Sequence, residues 1–304
     1  MEKASFDNIS QSEKQKQDTE KLIAQLRENP AIQYLFRRNE IPEHYLESAP
    51  WRLRQWLIDF NPCQGCKGLE RCTQKQTGYF NNLTYDGILK NEITPCRYMK
   101  AKLKAIAHRE MYIVNDLPEK LLTASFRNIE TSREEEDYLL ILHQAMQLSN
   151  DYRSYYLHGT MGSGKTYLAA CACNEHARNG EKVAFIHYPT FCSRMASMYA
   201  SGEYRDDLKR MQYAEFAVID DIGAESVTEW NRDSLLLPIL NARYEANLPT
   251  WFTSNCDIPA LRSHYSFSSR GKQEELKAAR ITERITSMCV IGVLTGDDRR
   301  FQVK

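Results

Sequence analysis

Apolar positions recur along this chain in two different rhythms. In the first third they fall at helical spacing. "DTEKLIAQLRENPAIQYLFRRN" places Leu22, Ile23 and Leu26 on one face, and "PEHYLESAPWRLRQWLIDF" does the same with Trp56, Leu57 and Phe60. Further on, short continuous apolar runs alternate with helical patterns. Tyr155–Leu157, "FAVIDDIG" from Phe216, "PTWFTSN" at 249–255 and "CVIGVLTG" from Cys289 read as buried strands. Between them, Tyr167–Cys173, Phe191/Met195/Met198 and "AARITERI" at 278–285 read as helices. Strands that alternate with helices predict an α/β domain built on a parallel sheet. The stretch "REMYIVNDLPEKLLTA" has mixed polarity and one proline, and reads as a linker. The expected organisation is therefore a first domain over 1–108, a linker over 109–124 and an α/β domain over 125–304. Pro238, inside the apolar run "SLLLPILNARY", predicts a kinked helix.

The chemistry concentrates in "YYLHGTMGSGKTYLAA" at 155–170. Gly159, Thr160, Met161, Gly162, Ser163, Gly164, Lys165 and Thr166 match G-x-x-x-x-G-K-[ST], between a strand and a helix that opens at Tyr167. In that context the glycines let successive N–H groups turn inward at a helix N-terminus, where an anion is favoured. Lys165 is expected to meet the β- and γ-phosphates, and the Thr166 hydroxyl is a hard ligand suited to Mg²⁺. The strand from Phe216 ends in Asp220 and Asp221. Set beside the P-loop strand, Asp220 falls on the Mg²⁺ side and Asp221 is placed to polarise the attacking water. Thr253, Ser254 and Asn255 end another strand, where they can touch a γ-phosphate or serve only as turn formers.

Composition narrows the setting. The 304 residues carry 40 basic and 40 acidic side chains, so no global field draws the chain to nucleic acid or membrane. No run reaches a membrane span, and the charged N-terminus lacks the apolar core of a signal peptide, so a cytoplasmic location is expected. Nine cysteines in that compartment argue against disulfides. Four of them, Cys63-x2-Cys66-x5-Cys72-x23-Cys96, suit tetrahedral Zn²⁺. Basic neighbours (Lys67, Arg71, Arg97, Lys100) would ease their deprotonation. A redox C-x-x-C pair is the rival reading, although no thioredoxin-like pattern accompanies it. Cys171, Cys173, Cys192, Cys256 and Cys289 lie on apolar stretches and read as ordinary packing. Arg280 and Arg284 share one helical face, and spacing alone favours a solvent-exposed pair there.

"GTMGSGKT", "VIDDIGAE", Trp230–Asp233, "LPTWFTSN", "ARITERI" and the closing "GDDRR" together resemble the bacterial replicative helicase loaders of the DnaC/DnaI type, a clade of AAA+ ATPases. The four-cysteine first domain is similar to that of one branch of the loaders. The resemblance implies ATP and Mg²⁺ as cofactors, and as partners a hexameric replicative helicase, single-stranded DNA and other primosome proteins. It also implies self-association in the ATP-bound or helicase-bound state. It places sensor I on Asn255, an arginine finger on Arg284 with Arg280 next, and sensor II on Arg300 or Arg299. Asp221 stands where most AAA+ proteins have Glu, which implies weak hydrolysis stimulated by a partner or single-stranded DNA. "FRNI" at 126–129 resembles the stretch that packs near adenine, and the segment from Tyr188 resembles the extra helical insertion of initiators and loaders. Few residues follow "CVIGVLTG", so a core without the C-terminal helical lid is expected. Two other functions share these features: a transposition helper ATPase of the same clade, and a P-loop small-molecule kinase with a zinc module.

Overall fold

The computed structural model describes residues 13–132, 134–267, 274–296 and 298–299. The chain divides into two compact units, Met1–Lys104 and Ala105–Lys304.

The first unit begins with helices α1 (Glu13–Glu28), α2 (Pro30–Asn39), α3 (Tyr45–Ser48) and α4 (Pro50–Phe60). Asn29 caps α2 through its carboxamide oxygen, which accepts from the N–H groups of Ala31 and Ile32, and proline opens the helix. A hairpin of β1 (Tyr79–Asp86) and β2 (Ile88–Pro95) follows, turning at Gly87 with φ 71°. Leu22, Leu26, Ile32, Leu35, Leu53 and Trp56 form a core with Leu83 and Leu89 of the hairpin. The helical faces expected from Leu22 and Leu26 and from Trp56 are buried here, with Phe60 stacked on Trp56 at 4.8 Å. Helix α5 (Arg97–Ala105) closes the unit.

The second unit is built on a six-stranded parallel sheet in the order β3-β5-β6-β7-β4-β8. Its strands are β3 (Tyr112–Asn115), β4 (Ser154–Gly159), β5 (Val183–His187), β6 (Phe216–Asp220), β7 (Thr250–Ser254) and β8 (Cys289–Leu294). The helices are α6 (Glu136–Asn150), α7 (Lys165–Arg178), α8 (Tyr188–Ser197), α9 (Tyr204–Tyr213), α10 (Leu237–Glu245), α11 (Ile258–Ser266) and α12 (Glu275–Met288). Strands β5, β6 and β7 are buried along their whole length apart from His187, as expected when helices cover both faces. One side of the sheet packs against α6 and α7, the other against α8, α10, α11 and α12.

Three expectations change. The stretch 109–124 is not a linker: Tyr112–Asn115 pairs with β5 as an edge strand, and Leu117, Leu122 and Ala124 join the core beside α7. The boundary between the units accordingly falls after Lys104. The strand that ends in Asp220 does not lie beside the P-loop strand, because β7 pairs with both and sits between them. Pro238 lies inside an unbroken helical stretch, where the irregularity takes the form of a change of winding: Trp230–Leu236 is wound as a π-helix and α10 follows directly from Leu237.

Candidate functional site

Five parallel strands deliver their carboxyl ends to one place. Gly159 ends β4 with φ 142°, and a Cβ there would lie 2.0 Å from the Leu294 carbonyl oxygen of β8. Only glycine allows that approach. Gly162 has φ 75°, and its open side faces the Asp298 carboxylate, 2.1 Å from where a Cβ would stand. Gly164, with φ 107°, precedes α7, and no side chain caps the first N–H groups of that helix. The turn thus presents uncapped donors at a positive helix end, an anion site by construction. Ser163 is buried and donates to the Thr160 carbonyl at 2.8 Å, while Met161 is exposed and Tyr167 packs on the α7 core.

Lys165 is 7% exposed, and its Nζ donates to the carbonyls of Gly159 (3.1 Å) and Thr160 (2.6 Å). Burial pulls its pKa down, and the nearby Asp221 and Asp220 pull it up. A buried ammonium hydrogen-bonded to backbone carbonyls gains from a phosphate that arrives beside it. Asp220 is 5% exposed; its Oδ1 accepts from the hydroxyls of Thr166 (2.8 Å) and Thr253 (2.6 Å). Burial raises the Asp220 pKa, against the lowering by the two hydroxyls. A buried carboxylate facing a threonine hydroxyl is an all-oxygen donor set that fits Mg²⁺.

β7 lies between β4 and β6, and its end residues meet the carboxylates that end β6. Thr253 donates to Asp220 and accepts from the Asp221 N–H at 2.9 Å. Asn255 is exposed, and its Nδ2 donates to Asp221 Oδ1 at 3.2 Å. Asp221 has φ 59°, a left-handed conformation uncommon for a residue with a side chain. The structure therefore gathers Lys165, Thr166, Asp220, Asp221 and Asn255. Sequence spacing could not single out Thr253, since its role depends on the strand order.

The arginines lie differently. The Arg284 Nε donates to Asn241 at 3.2 Å, and the guanidinium sits 4.5 Å over the Tyr244 ring, so the half-buried side chain lies against α10. Arg280 is exposed. Arg299 forms a two-pronged pair with Glu134, both contacts at 2.6 Å, and lies 3.7 Å over the Tyr138 ring. Its N–H donates to the Gly162 carbonyl at 3.0 Å, so the segment passes along the P-loop while the guanidinium points to α6. Arg300 lies outside the described residues. Arg232, from the Trp230–Asp233 motif, is fully buried and pairs with Asp233 and Glu274, a structural role. Phe126 is buried in the core beside α6 and α7.

In the first unit, Cys63 and Cys66 flank a turn after α4, Cys72 precedes β1, and Cys96 follows β2. The Cys96 N–H donates to Gly78 at 2.8 Å, so the hairpin joins residues distant in sequence. All nine cysteines are free. Among the described residues, no group of three or more His, Cys, Asp or Glu is placed to hold a metal ion. The Cys63 thiol nevertheless feels the other three: burial raises its pKa first, Gln74 lowers it, and Cys72, Cys66 and Cys96 raise it further.

The sequence pattern of the IstB-like ATP binding proteins matches residues 127–304. The chain belongs to that family. It is 28% identical over 300 residues to the replicative helicase loader DnaI of Bacillus subtilis (strain 168), covering 93% of this chain and 94% of the relative. A crystal structure of DnaI aligns with a TM-score of 0.53 at 30% identity, over 64% of this chain and 99% of that one. A candidate primosome component from Streptococcus pyogenes serotype M3 shares the fold, with a TM-score of 0.50 at 23% identity over 64% and 98% of the two chains. Among the described residues, no helix is long and apolar enough to cross a membrane.

Proposed function

We propose that this chain is an ATP-switched loader that binds a hexameric replicative DNA helicase and helps deposit it on single-stranded DNA. The observation that carries this reading is the extent of the likeness to DnaI, which runs through both units rather than the ATP-binding unit alone. The pattern of the IstB-like ATP binding proteins covers residues 127–304, within the second unit, whereas the likeness to DnaI takes in the first unit as well.

In this reading the second unit is the switch. Lys165 neutralises the β- and γ-phosphates, with the uncapped N–H groups of α7 beside it. Thr166 and Asp220 would hold Mg²⁺, which when bound neutralises phosphate charge. Asp221 accepts the proton of the attacking water, and Asn255 holds that carboxylate. Hydrolysis is weak and rises with partner or single-stranded DNA. Arg284 serves a neighbouring copy: on α12 it is held by Asn241 and Tyr244, not by its own P-loop. ATP-dependent self-association follows, because one subunit completes the next one's site. Arg300 or Arg299 completes the nucleotide site as sensor II. In the state described Arg299 is engaged by Glu134, so that role requires the pair to open.

The first unit is the helicase-binding module. Cys63, Cys66, Cys72 and Cys96 would hold Zn²⁺. Two of the sulfurs already accept hydrogen bonds, Cys63 from Gln74 (3.2 Å) and Cys72 from the Gly78 N–H (3.3 Å), the outer-shell contacts that suit a metal-bound thiolate. Burial first, and then repulsion from Cys72, Cys66 and Cys96, raises the Cys63 pKa, and a cation among the sulfurs would offset both. The protein works in the cytoplasm with other primosome proteins.

Separating the units tests the division of labour. Residues 1–104 should bind the helicase without ATP, and residues 105–304 should bind ATP and, modestly and salt-dependently, single-stranded DNA. If the second unit alone held the helicase as tightly as the whole chain, the assignment would be wrong.

A further inference from the structure

The residues after β8 lie along the P-loop. Strand β8 leaves the sheet beside β4, with Leu294 opposite Gly159, and Gly296 turns the backbone at φ 133°. The contacts then follow the loop in order. Thr160 donates from its N–H to the Leu294 carbonyl at 3.2 Å and from its hydroxyl to the Gly296 carbonyl at 3.0 Å. The Asp298 carboxylate covers the bare Cα of Gly162, and the Arg299 N–H donates to the Gly162 carbonyl at 3.0 Å. The Arg299 stem passes Gly164, its Cδ 3.5 Å from where a Cβ would stand, and the guanidinium ends on Glu134 and Tyr138. Two consecutive residues of opposite charge are thus pinned together, the anion on the phosphate-binding loop and the cation on the Glu134 carboxylate.

We propose that Asp298 is a built-in brake on nucleotide binding: its carboxylate opposes a polyphosphate on the P-loop, and its displacement by ATP draws Arg299 off Glu134. This rests on the reading of Gly159–Thr166 as the ATP site. The loop attracts anions through the uncapped N–H groups of α7 and through Lys165. A carboxylate seated on the same loop repels what those groups attract. Asp298 is half-buried, so solvent screens it incompletely. The repulsion grows with the charge on the nucleotide, and ATP is opposed more than ADP. The phosphates act on Arg299 with the opposite sign. They drive Asp298 outward and draw the guanidinium inward, and because the two residues are consecutive, one backbone movement serves both. That movement breaks the bond from the Arg299 N–H to Gly162 and opens the pair with Glu134, the step that a sensor II role for Arg299 requires. The nucleotide shifts the segment because it interacts differently with the two arrangements.

The test is equilibrium binding of labelled ATP and ADP, each with Mg²⁺, to the full chain and to Asp298→Asn, Glu134→Gln and Lys165→Ala. Asparagine keeps the shape of the Asp298 side chain and removes its charge. It should lower the Kd for ATP on the order of tenfold and the Kd for ADP by less. The gain should shrink as salt is raised, which a purely structural role would not produce. Glu134→Gln, which weakens the hold on Arg299, should tighten ATP by a smaller factor. Hydrogen exchange supplies a readout besides affinity: a non-hydrolysable ATP analogue should speed exchange at the Arg299 amide of the native chain. Weaker or unchanged ATP binding in Asp298→Asn, an equal gain for ATP and ADP, or a gain indifferent to salt would each overturn the brake. Unchanged ATP binding in Glu134→Gln, or exchange that does not quicken with the analogue, would overturn its coupling to Arg299. Undiminished ATP binding in Lys165→Ala would instead overturn the P-loop reading on which the inference rests.

Discussion

Thr253→Val removes one hydroxyl from the centre of the site and leaves its shape. In the native chain that hydroxyl is 2% exposed as part of Thr253, donates to Asp220 Oδ1 at 2.6 Å and accepts from the Asp221 N–H at 2.9 Å. A hydrogen bond to a charged group contributes ~1.5–3 kcal/mol, and a buried donor left unpaired costs ~1–3 kcal/mol. The two together amount to about 2.5–6 kcal/mol, the lower figure applying if water reaches the freed N–H. For a unit of this size each kcal/mol moves Tm by ~2–4 °C, so the loss should be on the order of 5–25 °C. Thr253→Ser keeps both hydrogen bonds and loses one methyl, about 1 kcal/mol. The sign of the pH dependence follows from Asp220, whose folded-state pKa is raised by burial and rises further once the Thr253 bond is gone. A group of that kind stabilises the fold below its unfolded pKa and loses the contribution as pH rises through the folded value. The deficit of the Val variant should therefore be largest near neutral pH and shrink on acidification as Asp220 takes up its proton. Thermal unfolding without nucleotide, followed across pH for both variants, measures this. A Val variant that melts at or above the Ser variant near neutral pH would refute the hydrogen-bond reasoning.

Lys165→Ala should fold normally, since it removes a buried ammonium whose pKa is lowered, and should lose ATP binding; equilibrium binding of a labelled nucleotide checks both. Protein purified without chelator should carry about one Zn²⁺ per chain, and chelation should unfold the first unit while sparing the second; elemental analysis and two-transition melting read this out. Arg284→Ala should bind ATP and fail to hydrolyse it, and mixing with Lys165→Ala should restore turnover, because the Lys165→Ala subunit lends its arginine to the other's intact P-loop. An arginine supplied in trans contributes ~10³–10⁵ in rate, so even partial rescue is measurable, and its absence under stimulated conditions argues against that role for Arg284.

What could be read from sequence was what is local. The P-loop lies within eight consecutive residues between a strand and a helix, so spacing alone identified Lys165 and Thr166. Asp220 was legible for the same reason, at the end of a continuous apolar run. The neighbour of its strand was not, because strand order is set by the packing of distant segments; β7 entered the gap and brought Thr253 with it. Strand β3 was hidden because four residues at a sheet edge carry too short a pattern to separate from a connection. The pairing of Arg299 with Glu134 spans 165 positions, and no spacing rule reaches that far.

The measurement that bears most directly on the account is co-purification of the full chain with its host's hexameric replicative helicase, with and without ATP. The account predicts a complex in both conditions through the first unit, with ATP changing its stoichiometry or its capture of single-stranded DNA. A chain that hydrolyses ATP but fails to associate with the helicase under either condition would contradict it.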